Sequence, residues 1–240
     1  MDSTAPDPGI LHVPLANGMV CFADSSASPF GADERQLAEA ARTHLEDRLG
    51  RTLPVLYALQ QHGAVTFLYA ARGQLVPGAH EVGRCDGLIT VEPGVGLVVR
   101  NADCLPVALA GGGAMAMLHA GWRGLAADIL GRVVKRLEGE LGVSSGEVTA
   151  VIGPGVGPCH YEVGPEIAAA LQRNPTDESG WRSEGRVDLA RYAAARLRSL
   201  GVLSVQTTGI CTACSPRYYS YRRDGTEAGR LWSAAVIWPS

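Results

Sequence analysis

Between Pro54 and Ala120 the chain breaks into short apolar runs: VLYAL, AVTFLYA, GLIT, VGLVV, LPVALA and AMAMLHA. Glycine or a turn former stands between nearly all of them, and none reaches the roughly 10–12 residues that a buried helix needs. Val, Leu, Ile, Tyr and Phe dominate, which suits pleated and buried surfaces. This stretch therefore reads as six strands with no helix among them. That excludes an all-helical fold and a regular βαβ alternation.

The rest of the chain supplies the helices. ILHVPL and NGMVCFAD read as two strands around an Ala16-Asn17-Gly18 turn. From Asp33 to Leu49 a helix is expected, with Asp33 as its cap, Gln36 completing a capping box and Gly50 stopping it. Over Gly124–Leu137 the residues Leu125, Ile129, Leu130, Val133, Val134 and Leu137 repeat at helical spacing. A strand over Glu147–Ile152 is followed by the loop GPGVGP and a helix over Pro165–Gln172. The polar stretch Asn174–Arg186 reads as a surface loop, and Asp188 caps a further helix to Leu200. VLSVQTT and LWSAAVIW are final strands. The expected architecture is α+β: a mixed, sandwich-like β-structure flanked by helices, with residues 1–9 a flexible tail and 10–240 a single domain.

At 240 residues, 46% hydrophobic and 19% charged, such a chain buries a sizeable core without staples. The net charge of −3, with no run of basic residues, argues against a nucleic-acid face but not against local capture of one small anion. MDSTAPDPG has neither the basic start nor the apolar stretch of a signal peptide. No apolar run approaches the roughly 18 residues that span a bilayer. The expectation is a cytoplasmic monomer, with its six cysteines reduced.

Cys104 and His119 sit in strand-like segments where valine or leucine would pack more cheaply, and His62 stands at a comparable strand-to-turn junction. One thiolate and two imidazoles make a three-ligand set for Zn²⁺ with a fourth position open, and the same set suits copper. The spacings match no compact metal motif. Taken singly, each of these histidines more often serves as a hydrogen-bonded structural residue. Cys104 with His119 also reads as a nucleophile and its base, and Cys104 alone as a small buried hydrophobe. In HAGWRG, Arg123 opens a helix where backbone N–H groups and a guanidinium can face one anion, or it is a surface arginine. In SPRYYSYRRDG, Arg222 and Arg223 can clamp phosphate, or they lie solvated on an edge strand. CTAC has the spacing of a redox motif without a thioredoxin-like context, and it reads as structural. GPGVGP gives backbone freedom beside a ligand or a tight turn, and matches no dinucleotide or phosphate-loop fingerprint.

In order along the chain, QQHG, CDGLIT, NADCLPVAL, LHAGWRG, IGPGVGPCHYEVG, CT and YSYRRDG followed by AGR resemble the motifs of the YfiH-like family. Its members are also called peptidoglycan editing factors, polyphenol-oxidase-type laccases and multi-substrate purine nucleoside phosphorylases. The resemblance implies a zinc site at His62, Cys104 and His119, with Arg123 beside it and Cys104, His119 and Arg123 taking part in catalysis. It implies phosphorolysis of adenosine, inosine, guanosine and methylthioadenosine, with adenosine deamination as a side activity. Purine nucleoside and phosphate would be the partners, and Arg100, Arg222 and Arg223 would neutralise the phosphate. Two alternatives accompany it. One is a cysteine hydrolase or editing factor acting on a peptidoglycan precursor with Cys104 as nucleophile. The other is a copper-dependent phenol oxidase, limited by a chain with six histidines, of which His12 and His44 lie in the first strand and first helix. The sequence departs from the family near the site: FADSSASPFGADE replaces a glycine-rich segment, and Arg100-Asn101 precedes ADC. Substrate preference is where those departures would act.

Overall fold

The computed structural model describes residues 8–71, 75–176 and 179–238. Apart from Pro8 and Gly9, the expected N-terminal tail lies outside them. The first hairpin forms as expected, β1 (Ile10–Leu15) pairing antiparallel with β2 (Gly18–Ala23). Helix α1 (Glu34–Leu49) starts at Asp33, whose carboxylate accepts from the Gln36 backbone while the Gln36 side chain accepts in return. It ends at Gly50 in the left-handed conformation.

The six runs become β3 (Pro54–Tyr57), β4 (Thr66–Tyr69), β6 (Gly87–Thr90), β7 (Gly96–Asn101), β8 (Leu105–Gly111) and β9 (Ala114–Ala120). One strand in this stretch was not expected. GAHE forms β5 (Gly78–Glu81), an edge strand held by parallel pairing to β3, without the apolar residues that mark a strand in sequence. After β9 the single helix expected over Gly124–Leu137 is two. Helix α2 (Trp122–Ala126) ends where Asp128 turns left-handed (φ 59°), and α3 (Ile129–Leu141) begins there. That carboxylate both caps Gly131 and pairs with Arg196 at 2.7 Å, which holds the break in place. Next come β10 (Thr149–Ile152) and α4 (Pro165–Leu171). The expected surface loop carries a small ladder, β11 (Arg182–Ser183) with β12 (Arg186–Val187), before α5 (Leu189–Ser199) and β13 (Ser204–Thr207). Tyr221–Asp224 is a short helix, α6, and β14 (Leu231–Ile237) closes the chain of elements.

Two mixed six-stranded sheets result, in the orders β1-β2-β14-β7-β3-β5 and β13-β10-β8-β9-β6-β4. They stack face to face over Phe22, Leu56, Leu88, Leu97, Met115, Met117, Val151 and Ile237, all buried. Helix α1 covers the outer face of the first sheet, setting Leu37, Ala41 and Leu45 against Val55, Val98 and Trp232. Helices α3 and α5 cover the outer face of the second through Leu130, Val133, Val134, Leu137, Tyr192 and Leu197. Each such leucine withdrawn from water contributes roughly 1.5–3 kcal/mol before ordering costs. The product is a single α+β domain of four layers with six helices among the described residues.

The register of the second sheet decides where functional side chains meet. Strands β8 and β9 turn through Gly112 and Gly113, both at positive φ (54° and 78°), as the tightest hairpins require. Pairing then runs back to Leu105 opposite Ala120 and Pro106 opposite His119. On the other side of β9, Gly87 of β6 lies opposite Leu118. The residues just before β8, just before β6 and at the end of β9 therefore share one end of the sheet. These are Cys104, Asp86 and His119.

Candidate metal centre and cleft

At that end of the sheet, ligand atoms of His62, Cys104 and His119 lie within 4.8 Å of one another. His119 is 3% exposed, Cys104 is half-buried and His62 is exposed. The two imidazoles meet edge to face, 4.8 Å between centroids. His62 reaches the cluster from the loop joining β3 of one sheet to β4 of the other, and its backbone is left-handed (φ 58°).

What holds this loop is Asp86, a residue to which the sequence reading gave no role. Its carboxylate accepts from the backbone N–H of Gln61, His62 and Gly63 at 2.7–3.2 Å. The same carboxylate accepts from His119 Nδ1 at 2.9 Å. Burial pushes the carboxyl of Asp86 up, but the bonds from His119 and the Gly63 backbone outweigh it and hold it below its ordinary range. A bond at Nδ1 turns Nε2 of His119 toward Cys104 and fixes the tautomer, the outer support that metal-bound histidines commonly have. A second turn is fixed by Asp103 (φ 84°). Its carboxylate takes Thr212 Oγ1 at 2.6 Å and the Arg222 backbone N–H at 2.5 Å, fixing the backbone just before Cys104.

The donor set fits a metal ion on three counts. It combines one soft and two borderline ligands, it carries the carboxylate support on His119, and the backbone leaves room for the sulfur. A Cβ on Gly121 would stand 2.8 Å from Cys104 Sγ and 3.6 Å from His62 Cδ2. Burial raises the Cys104 thiol, yet hydrogen bonds from His119 and His62 bring it down to about 6. His119 is lowered by burial and raised further by Asp86 and Cys104, ending at about 9. Without a metal both shifts favour the pair as a thiolate beside an imidazolium. Among the described residues, potential metal-binding clusters occur at two other places, His12 with Cys21 and His44, and Cys159 with His160, Cys211 and Cys214.

The three ligands open onto a cavity of about 670 Å³. Arg100, Arg123, Arg222 and Arg230 reach its lining together with Gln60, Tyr161, Glu162 and Ile167. Arg100 pairs with Glu34 at 2.8 Å, and Arg123 stacks on Trp122 with 4.5 Å from guanidinium to ring centre. The Arg222 guanidinium donates to the Glu162 carbonyl and lies over Tyr161. Arg223 is placed elsewhere. It pairs with Asp224 and donates to the carbonyls of Thr212, Ser215 and Tyr218, bracing the turn before α6. Tyr161 stays protonated: burial and the Cys104 thiolate push it up to about 12. No helix among the described residues is long and apolar enough to cross a membrane.

A family model described as "Multi-copper polyphenol oxidoreductase laccase" matches residues 21–239. Among relatives, a purine nucleoside phosphorylase of Xylella fastidiosa is 34% identical over 88% of this chain and 83% of its own. Among solved structures, YlmD of Geobacillus stearothermophilus superposes with a TM-score of 0.82 at 25% identity, covering 98% of both chains. The hypothetical protein YfiH of Bacillus licheniformis superposes with a TM-score of 0.83 at 22% identity, covering 97% of both. These findings correct one expectation. The reading as a purine nucleoside phosphorylase with adenosine deaminase activity does not carry over. The relatives so named share only 30–37% of aligned residues. The structures that match almost the whole fold carry no such activity in their names. What the fold assembles is a Cys/His ligand cluster. In sequence and in fold, this chain belongs to the YfiH-like, laccase-domain family.

Proposed function

We propose that the protein is a metal-dependent hydrolase. Its metal, zinc by donor chemistry, would be held by His62, Cys104 and His119, and its substrate would be a small anionic molecule with a hydrolysable amide, such as a peptidoglycan precursor. The carrying observation is the three-ligand cluster with Asp86 behind His119, facing an arginine-lined cleft. Three protein ligands with an open position are the pattern of catalytic rather than structural zinc. A zinc ion held there would supply Lewis acidity and would lower the pKa of a water bound to it to about 7.

The chain's own groups would do the rest. Asp86 keeps His119 in one tautomer and ties His62 to the same carboxylate, so both imidazoles hold their direction while substrate enters. Arg123, stacked on the Trp122 ring, and Arg222, bonded to the Glu162 carbonyl, leave positive charge to orient an anionic group. Tyr161 keeps its proton at neutral pH and can donate to an oxygen gaining negative charge.

The lowered thiol of Cys104 favours one second reading, in which it attacks the amide carbonyl itself. The amine would leave with a proton from His119, and water would then cleave the thioester. The two readings are separated by incubating metal-free, zinc-loaded and copper-loaded protein with short muropeptide amides, alongside a phenolic dye, and analysing products by chromatography. Cleavage that disappears on chelation and returns with zinc supports the metal reading. Cleavage that survives complete metal removal and is lost in Cys104→Ser transfers the role to the thiol. Dye oxidation with copper and no cleavage of any amide would refute hydrolysis.

A further inference from the structure

A second set of soft ligands lies away from the cleft. Cys159 and His160 follow β10, and Cys211 and Cys214 follow β13, and their ligand atoms all fall within 4.8 Å of one another. Cys159 Sγ is 3.3 Å from Cys214 Sγ, and His160 Nδ1 is 3.4 Å from each of these sulfurs and 3.9 Å from Cys211 Sγ. A tetrahedral ion with Zn–S about 2.3 Å and Zn–N about 2.0 Å holds sulfurs about 3.8 Å apart and each sulfur about 3.5 Å from nitrogen. The three sulfur–nitrogen separations bracket that value, and Cys159 and Cys214 stand closer than the tetrahedral sulfur separation yet well beyond a covalent bond. A disulfide requires about 2.05 Å between sulfurs, and would leave one thiol and the imidazole of this group without a purpose.

The surrounding backbone is built to bring the four together. Gly155 and Cys211 form a parallel bridge, with Gly155 N–H donating to the Ile210 carbonyl at 3.2 Å and Thr212 N–H to the Gly155 carbonyl at 3.0 Å. Gly157 donates its N–H to Cys211 Sγ at 3.2 Å, a bond that favours sulfur as thiolate. A Cβ on Gly157 would stand 3.1 Å from Cys211 Cβ and 3.4 Å from the sulfurs of Cys159 and Cys211. The loops therefore reach their register through the main chain, and the side chains converge on a common point.

We propose that Cys159, His160, Cys211 and Cys214 bind a second metal ion, zinc by its chemistry, in a closed Cys₃His site that clips the two loops together. All four positions of a tetrahedral ion are filled by protein, so the site is structural where the one in the cleft is open. Its effect reaches the cleft through the chain. The segment it fixes continues into Tyr161 and Glu162 of the cleft wall. Thr212, between the two cysteines of CTAC, bonds Asp103 beside Cys104.

The test uses the full chain, expressed with added zinc and handled anaerobically. Zinc per chain is measured for wild type and for Cys211→Ser/Cys214→Ser, and far-UV circular dichroism checks that the variant is folded. The variant is expected to carry one zinc fewer than wild type. Separately, Cys104→Ser, which lacks the only thiolate of the cleft cluster, is loaded with Co²⁺ in a Cys21→Ala background that also removes the thiol of the His12, Cys21 and His44 group. A strong sulfur-to-cobalt charge-transfer band and tetrahedral d–d bands are expected to remain, and to vanish when Cys211→Ser and Cys214→Ser are added. If the double variant fails to fold, the cobalt spectrum of Cys104→Ser decides alone. Equal zinc in folded double variant and wild type, no thiolate band in cobalt-loaded Cys104→Ser, or a Cys159–Cys214 disulfide in zinc-supplemented protein would each overturn the proposal.

Discussion

Replacing Asp86 with asparagine isolates what one carboxylate does for the candidate metal centre. Asp86 is 1% exposed and accepts from four donors, three of them backbone N–H groups of residues 61–63 and one the imidazole of His119. Asparagine keeps its shape but offers one acceptor oxygen, so an NH₂ group faces donors where an oxygen stood. About two of the four bonds are then lost, at about 1–3 kcal/mol for each buried donor left unmade. Gln61 and His62 are exposed enough for water to recover part of this, so a loss of about 2–4 kcal/mol is expected. The left-handed backbone of His62 costs roughly 1–2 kcal/mol on its own, and this bonding is what offsets it. Metal affinity should fall about 10–100-fold, the range for losing an outer partner of a ligating histidine. Urea unfolding of the metal-free proteins measures the first quantity, and zinc competition against a chelating dye measures the second. Zinc affinity within about twofold of wild type would refute the argument that Asp86 organises the ligands.

Three further outcomes are expected. Gly121→Ala has an ordinary backbone angle to adopt (φ −75°), so its methyl acts by contact, tightest with the Cys104 sulfur; elemental analysis should show less metal in a protein of unchanged circular dichroism. In metal-free protein, the Cys104 thiol held at about 6 should keep reacting with iodoacetamide as pH falls from 8, slow below that value, and be shielded by added zinc. Asp24 is buried, bonded to Ser26 and paired with Arg217 at 2.7 Å; burial raises its carboxyl, but these partners bring it below the ordinary range. Its contribution is thus complete above the ordinary carboxylate range and lost as pH falls through its depressed value, so the Tm difference between wild type and Asp24→Asn should shrink toward acid.

Much of the fold was legible because burial follows local pattern. The six glycine-punctuated runs became strands, and the Asp33 and Asp188 caps started helices where expected. What escaped depended on partners far along the chain. GAHE is a strand only because β3 offers an edge. The break before α3 rests on an arginine 68 residues away. At the site, the hairpin turn of paired glycines already fixed which residues of β8 and β9 face each other, so Cys104 beside Gly121 and His119 was within reach of register reasoning. Asp86 was not. An aspartate before GLIT reads as a turn residue until β6 is known to pair with β9, which sets it against His119. The Cys159–Cys214 grouping escaped for the same reason, since Gly155 must pair with Cys211 before CH and CTAC share a surface.

The two sheets also explain why a site of this kind sits where it does. Cys104, His119 and Asp86 come from one sheet, and antiparallel register fixes their mutual positions. His62 comes from a crossing between sheets, which register does not fix. Gln60 supplies the missing constraint. Its amide donates to the Arg100 carbonyl at 2.8 Å and accepts the Arg100 N–H at 2.7 Å, continuing the β3–β7 pairing with a side chain where the backbone ladder has stopped. The crossing loop is thus tied to the first sheet by Gln60, two residues before His62, and to the second by Asp86, which accepts the His62 N–H itself. A slide of one sheet on the other would pull His62 from Cys104 and His119, so packing of Phe22, Leu97 and Met117 between the sheets holds the ligand geometry as much as the ligands' own neighbours do.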